Sequence, residues 1–326
     1  MARGTHPHVV QRDGSSAAVS GLTGTTLHVQ ARGHGPACCR SARDARRACH
    51  HGRVGDLELI DCGDGRRLER FGDVVVDRPA PTAVMPRRLP AADWRRAALR
   101  WAGGAWARGV DKTPWTIDTS GLRLECRPAA GGQVGLFPDH AATWGWLDGA
   151  VRGLAASLAR PPELLSLFGY TGGATLLAAR AGARVAHVDA SKPAVAWARR
   201  NAVASGLEDR PVRWLVDDVR TVVRRERRRG HRYDGVILDP PTYGHGSSPW
   251  KIDVDLPPLL DGLAALLGPR PGLVVLSAHT PGYDGERLAA LCREHLGAGA
   301  ASGELRLIAR SGNVLRLGGW ARSPER

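Results

Sequence analysis

Leu164-Leu-Ser-Leu-Phe-Gly-Tyr-Thr-Gly-Gly-Ala174, followed shortly by Arg184-Val-Ala-His-Val-Asp189, is the stretch whose reading decides the fold. A short apolar run meets a glycine-rich turn, a helix-length segment reaches about Ala181, and a second apolar run ends on an acid. Parallel strands need a crossover of this kind, and because both their faces are covered they read as continuous apolar runs. The alternation continues downstream. Strands are expected at Val212 to Val216, Gly235 to Leu238 and Leu273 to Ser277. Helices follow them, the last two over about Val254 to Leu267 and Gly285 to Leu296. Upstream, a helix from about His140 to Leu158 stops at Pro161-Pro162, where proline cannot continue it. Two final strands, Glu304 to Arg310 and Asn313 to Trp320, turn at Ser311-Gly312. The expectation is an α/β doubly wound, Rossmann-like sheet over 138–326, with five parallel strands closed by a C-terminal antiparallel hairpin.

The preceding region, 55–137, reads as a small β-rich domain. Leu57 to Asp61 and Asp73 to Asp77 are strand-like around a Gly63-Asp-Gly65 turn. A short helical stretch is expected from Trp94 to Trp106, then a strand pair at Trp115 to Asp118 and Leu122 to Arg127. Trp94, Trp101, Trp106 and Trp115 suit core packing, with base stacking as the alternative. Residues 1–54 carry eight Arg but no Glu and show no sustained period, so a disordered Arg- and Gly-rich extension is expected. Its Cys38, Cys39, Cys49, His50 and His51 match no zinc spacing, and no metal site is expected anywhere.

The 326 residues carry a formal charge of +14, with 43% hydrophobic and 24% charged residues. That balance excludes a natively unfolded chain and favours a polyanionic partner such as RNA. No apolar run is long enough to span a bilayer, and no apolar leader opens the chain. The six cysteines are scattered without a C-x-x-C pair, which fits a reduced, cytoplasmic protein.

Four acidic or glycine-rich strand ends carry the chemistry. Phe168, Gly169, Tyr170, Thr171, Gly172, Gly173 and Ala174 form a G-x-x-G-G turn rather than the G-x-G-x-x-G of nicotinamide binders. Such a turn suits the amino-acid end and ribose of S-adenosylmethionine, which has no phosphate to cradle. Asp189, with Ala190 and Ser191 after it, ends the second strand, where a carboxylate can accept both ribose hydroxyls. At the third strand end, Asp217 or Asp218 can either take the adenine amino group or cap the following helix. Asp218 is preferred because Val219, able to line the ring, comes directly after it. Asp239-Pro240-Pro241-Thr-Tyr243 ends the fourth strand. Its prolines stiffen a loop that would hold a carboxylate and a carbonyl against a methyl acceptor, with Tyr243 stacking on a planar ring.

These residues resemble the large-subunit ribosomal RNA methyltransferase family. Phe168 to Gly173, His187 to Lys192 and Arg232 to Pro241 match that family's F-x-Y-T-G-G, H-V-D-A-S-K and R-Y-D-G…L-D-P-P segments. Leu136-Phe-Pro-Asp-His140 with Trp144 and Trp146 resembles the segment that precedes its catalytic domain. Leu59-Ile-Asp61 and Leu68-Glu-Arg-Phe71 resemble the N-terminal hairpin of a subgroup. The resemblance covers about 57 to 321 and implies a class I S-adenosylmethionine-dependent methyltransferase acting on RNA. The better-known members' PUA domain is not recognisable here. Members that methylate cytosine C5 use a cysteine after the fifth strand, but Leu276-Ser-Ala-His-Thr280 has none. Direct in-line transfer to a nitrogen or oxygen is therefore expected, with Asp239, Pro240, Pro241 and Tyr243 at the acceptor and Asp239 also against the cofactor. His279 reads as a loop or core histidine with proton removal as its alternative. The Arg224-Arg-Glu-Arg-Arg-Arg229 run reads as a solvated helix end or an RNA contact. A small-molecule methyltransferase with the same cofactor site is the competing reading.

Overall fold

A computed structural model describes residues 53–324 apart from 55, 108–110, 112, 245–248 and 269–270, so the expected extension over 1–54 lies almost wholly outside it. Strands β1 (Arg53–Val54), β2 (Leu57–Gly63), β3 (Arg66–Phe71) and β4 (Val74–Pro79) pair antiparallel in sequence. Helix α1 (Ala91–Arg95) leads to β5 (Leu99–Ala102), parallel to β4, and β6 (Ala105–Trp106) folds back on it. The helix expected from Trp94 to Trp106 is thus replaced: a single helical turn ends at Arg95, and most of the expected stretch is the β5–β6 hairpin. Gly103 and Gly104 both take positive φ, 59° and 82°, the conformation a two-residue hairpin turn demands. That turn sets the Trp101 and Trp106 rings edge to face at 5.4 Å. A separate hairpin, β7 (Trp115–Thr119) and β8 (Leu122–Cys126), follows.

From a single 3-10 turn at Pro138–His140 the chain enters α2 (Ala141–Leu158) and then the expected alternation. This runs β9 (Glu163–Leu167), α3 (Gly173–Arg180), β10 (Arg184–Asp189), α4 (Lys192–Ala204), β11 (Val212–Val216), α5 (Val219–Arg228) and β12 (Gly235–Leu238). A short pair, β13 (Tyr243–Gly244) and β14 (Trp250–Lys251), precedes α6 (Ile252–Leu267), β15 (Leu273–Ala278), α7 (Gly285–Leu296), β16 (Ala301–Ile308) and β17 (Val314–Ser323).

The main sheet has the order β11-β10-β9-β12-β15-β17-β16. Its first five strands are parallel, and β17 and β16 close it antiparallel, as the sequence led us to expect. The order reverses between β9 and β12, the point at which open α/β sheets form a ligand crevice beyond the carboxyl ends of their strands. Central β12 and β15 are buried at every position.

The core ignores the expected boundary at residue 137. One apolar cluster runs from Leu57, Phe71 and Ile117 through Leu136 to Leu164, Leu177 and Val275. A second joins Leu59 and Cys62 of β2 to Ala309 and Leu315 of the C-terminal hairpin. Between them Asp61, fully buried, accepts from the N–H groups of Cys62, Arg88 and Leu89, the indole of Trp94 and the hydroxyl of Ser311. Trp115 and Trp106 likewise spend their indole N–H groups on the carbonyls of Phe71 and Ala129. The tryptophans here are packing elements. Among the described residues no helix is long and apolar enough to cross a membrane.

Candidate active site

Pairing registers Val188, Leu167 and Leu238 side by side across β10, β9 and β12. The next residues, Asp189, Phe168 and Asp239, therefore leave the sheet edge together. With strands about 4.8 Å apart, the backbone at Asp189 and Asp239 stands roughly 10 Å apart, on either side of the glycine-rich turn. That turn is tight. Phe168 and Tyr170 both have left-handed φ, 55° and 47°, and Gly172 has φ 87°. Strain of this kind persists only where surrounding bonds enforce it, and it gathers at functional sites. The enforcing bonds run from Gly169 N–H to the Val188 carbonyl (3.0 Å) and from Tyr170 N–H to Asp189 Oδ2 (2.9 Å). Asn201 also donates to the Thr171 carbonyl at 2.8 Å.

Gly169 has a second constraint. A Cβ there would lie 2.4 Å from the ring of His187, which is completely buried against Thr175 (2.9 Å) and Trp214. Burial lowers the His187 pKa to about 4, so the ring is a neutral spacer beneath the turn.

A cavity opens over this turn. Phe137, His140 and Trp144 form one wall, Phe168 to Thr171 with Gly173 and Ala174 the floor, and Asp239 and Ser277 the far side. Aromatic faces beside a carboxylate suit a cation carried on an apolar frame. Asp239 is held at both oxygens, Oδ1 by the Ser277 hydroxyl (2.8 Å) and Oδ2 by His140 Nε2 (3.2 Å). Burial alone would raise the Asp239 pKa, but the facing His140 outweighs it, with smaller help from His279 and Ser277, and holds it at about 2. Burial pulls His140 the other way, and the Asp239 and Asp139 charges overcome that to push it up to about 9. The proton of this pair therefore belongs to the imidazole.

Asp189 and Asp218 do not line this cavity. Asp189 stands beside it with Oδ1 taking the Ser191 N–H at 2.8 Å and Oδ2 the Tyr170 N–H, which leaves each oxygen one lone pair. Burial raises its pKa against those two hydrogen bonds. Ala190 and Ser191 are exposed next to it, with the Ser191 hydroxyl capping α4 through Ala194 N–H. Asp218, expected at the adenine amino group, is otherwise engaged. It caps α5 through the N–H groups of Arg220 and Thr221 and pairs with the Arg220 guanidinium at 2.8 Å. Val219, expected against the ring, is buried with Val222 and Val223 in the core. At the fourth strand end Pro240 is buried, and the Pro241 carbonyl accepts from the Trp250 indole at 2.7 Å. Tyr243 is 68% exposed and reaches outward.

Cys62, Cys126 and Cys292 are free and buried, and burial raises all three thiols, Cys62 to about 11 and Cys292 to about 12. None of the described cysteines is a ready thiolate nucleophile.

A crystal structure of an S-adenosylmethionine-dependent methyltransferase from Agrobacterium tumefaciens superposes with a TM-score of 0.77. It is 36% identical, and the match covers 83% of this chain and 91% of that one. The chain belongs to the S-adenosylmethionine-dependent methyltransferases. Among curated proteins this methyltransferase is 27% identical over 195 residues to ribosomal RNA large subunit methyltransferase I of Shewanella denitrificans, covering 59% of this chain and 46% of that one. It is 26% identical over 211 residues to ribosomal RNA large subunit methyltransferase K/L of Shewanella frigidimarina, covering 63% and 28%. The chain thus spans less than half the length of these ribosomal relatives. No family model matches it.

Sequence reasoning placed Leu136 to His140 ahead of the methyltransferase domain but assigned those residues no role. The structure brings Phe137 and His140 into the cavity wall and groups Asp139 and His279 with His140. Proline at the first position of a turn, followed at once by Asp-His and then a helix, was the available signal. Its meaning depends on a partner almost 140 residues away, and spacing alone does not disclose that.

Proposed function

We propose that this chain methylates a base of RNA by direct in-line transfer, using S-adenosylmethionine held across the crevice between β9 and β12. When bound, that cofactor supplies a methyl group already activated on a sulfonium, so orientation and proximity provide most of the acceleration. The glycine-rich turn, Phe168 to Ala174, would carry its amino-acid end. Asp189, with a lone pair left on each oxygen, would take the ribose hydroxyls, beside Ala190 and Ser191. Asp218 would act only through the helix it caps.

The observation that carries the reading is the ionised state of Asp239 at the cavity wall. A carboxylate whose pKa is about 2, paired with an imidazole at about 9, is a hydrogen-bond acceptor rather than a base. It would accept an N–H of the acceptor amine, orienting the nitrogen lone pair toward the methyl group. The buried Pro240 holds the loop, and the proton lost after transfer leaves to solvent. Tyr243, exposed on its short strand, would stack on an extruded base.

RNA as acceptor is supported by the net charge of +14 and by the exposed face of α5, where Arg224, Arg227 and Arg228 cluster beside Thr221. The names of the curated relatives agree with it. The test is transfer of labelled methyl from S-adenosylmethionine to total RNA and, separately, to a small-molecule extract. Label in RNA nucleosides, lost in Asp239→Ala while calorimetric cofactor affinity stays within a few-fold, is the expected result. Label confined to the small-molecule fraction overturns RNA as substrate. Full activity in Asp239→Ala overturns the site.

A further inference from the structure

We propose that Asp139, His140 and His279 hold a divalent first-row transition metal ion, with zinc the best match, between the cavity and the groove beside it. The three donor atoms lie within 4.8 Å of one another. His279 Nε2 stands 3.4 Å from His140 Nε2 and 3.4 Å from Asp139 Oδ2. In a tetrahedral site with metal–ligand bonds near 2.0–2.1 Å, neighbouring ligand atoms are about 3.3–3.4 Å apart. The two edges that meet at His279 Nε2 already have the length of a coordination shell, and closing the third, now within 4.8 Å, needs only a small side-chain rotation.

Two independent observations point to a ligand. Asp139 is only 4% exposed, and neither of its carboxylate oxygens has a hydrogen-bond partner. A buried carboxylate with no hydrogen bond, approached at 3.4 Å by His279 Nε2, is costly, and buried charges are normally paired or coordinate a metal. Arg67, whose field reaches Asp139, is directed at Glu69 at 3.5 Å. The second observation is the His279 ring. Its Nδ1 faces the Leu317 carbonyl at 3.1 Å, so with the proton on Nδ1 the Nε2 lone pair points into the cluster. That outer contact is the one by which metal-binding histidines are usually oriented.

Two imidazoles and one carboxylate leave a fourth position open, the pattern of a catalytic rather than a structural zinc. His140 lines the cavity and His279 the adjoining groove, so that position can be reached by a donor atom of the acceptor. His140 Nε2 also faces Asp239 at 3.2 Å. Binding would take that nitrogen from Asp239 and set the ion's charge beside the carboxylate in place of the imidazolium's. The inference does not depend on the RNA reading.

The test uses the full chain, stripped with chelator, dialysed against Zn²⁺ or Co²⁺ and analysed for metal content and cobalt absorption. Wild type should retain about one ion per chain, as a formed site requires. Asp139→Asn and His279→Gln should each weaken retention at least tenfold while far-UV dichroism and melting stay near wild type. If one variant fails to fold, the other and the wild-type stoichiometry still decide. Retention below about a tenth of an ion by wild type overturns the proposal. So does retention indifferent to a folded variant, or a cobalt spectrum with thiolate bands, which would assign the metal to Cys38, Cys39 or Cys49.

Discussion

The His140–Asp239 pair makes the clearest residue-scale prediction. A group whose pKa is raised on folding stabilises the fold below its unfolded pKa and loses that contribution as pH rises through the folded value. For His140 the loss begins near its ordinary 6.5 and is complete above about 9. Asp239, depressed to about 2, contributes above its ordinary 3.8 and loses that contribution only as pH falls through about 2. The chelator-stripped wild type should therefore become less stable between about pH 6.5 and 9, and His140→Gln should flatten that limb. Urea midpoints measured across this range check it, and an unchanged slope in His140→Gln would refute the pairing. Gly169 makes a second prediction. Gly169→Ala drives a methyl group into the buried His187 ring, and overpacking of this kind costs about 1–3 kcal/mol. Adding His187→Ala should recover part of that loss, a non-additivity read from a double-mutant cycle.

At the scale of an element, Asp218 illustrates how one residue type serves two purposes at a strand end. Its two backbone acceptances and its Arg220 pair make it an N-cap for α5, and Arg220 extends the tie to Asp255 of α6 at 2.8 Å. Asp218→Ala should cost about 1–2 kcal/mol, the usual loss for a removed cap. It should leave cofactor affinity within a few-fold. Denaturant titration and calorimetry separate the two effects. A large loss of affinity with little loss of stability would return Asp218 to the cofactor. Helix α5 also resolves its arginine run into faces. Val219, Val222 and Val223 are buried with Glu226, which Arg213 and Tyr233 hold, while Arg224, Arg227 and Arg228 are left outward.

For the whole molecule, the shared core predicts joint folding. The cluster from Leu57 to Val275 and the Asp61 network tie the N-terminal strands to the catalytic sheet at two places. Unfolding followed by hydrogen exchange should show β2–β4 and β9–β15 protected to a common limit, and two separate transitions would refute this. Asp61→Ala strands several buried donors at once, among them N–H groups of the Arg88-Leu89 turn and the Trp94 indole, so it should cost roughly 2–4 kcal/mol. The urea midpoint checks it.

The main sheet was legible because parallel strands buried on both faces write themselves as apolar runs, and each crossover needs a turn and a helix-length segment that the sequence displays. Asp189 and Asp239 were legible for the same reason, as acids on the last step of such a run. The helical stretch expected at Trp94 to Trp106 is instead mostly the β5–β6 hairpin, since the Gly103-Gly104 turn outweighs local helical propensity. What only the tertiary structure decided is charge state and company. Whether Asp218 faces a ligand or its own helix depends on where Arg220 lies. His140, Asp239 and His279 meet only because the sheet's reversal brings the entry to α2 against β12 and β15. Local sequence records a residue's chemistry and period. The neighbours that set its protonation and partners, such as Asp239 for His140 about a hundred residues on, come from contacts that the packed fold alone supplies.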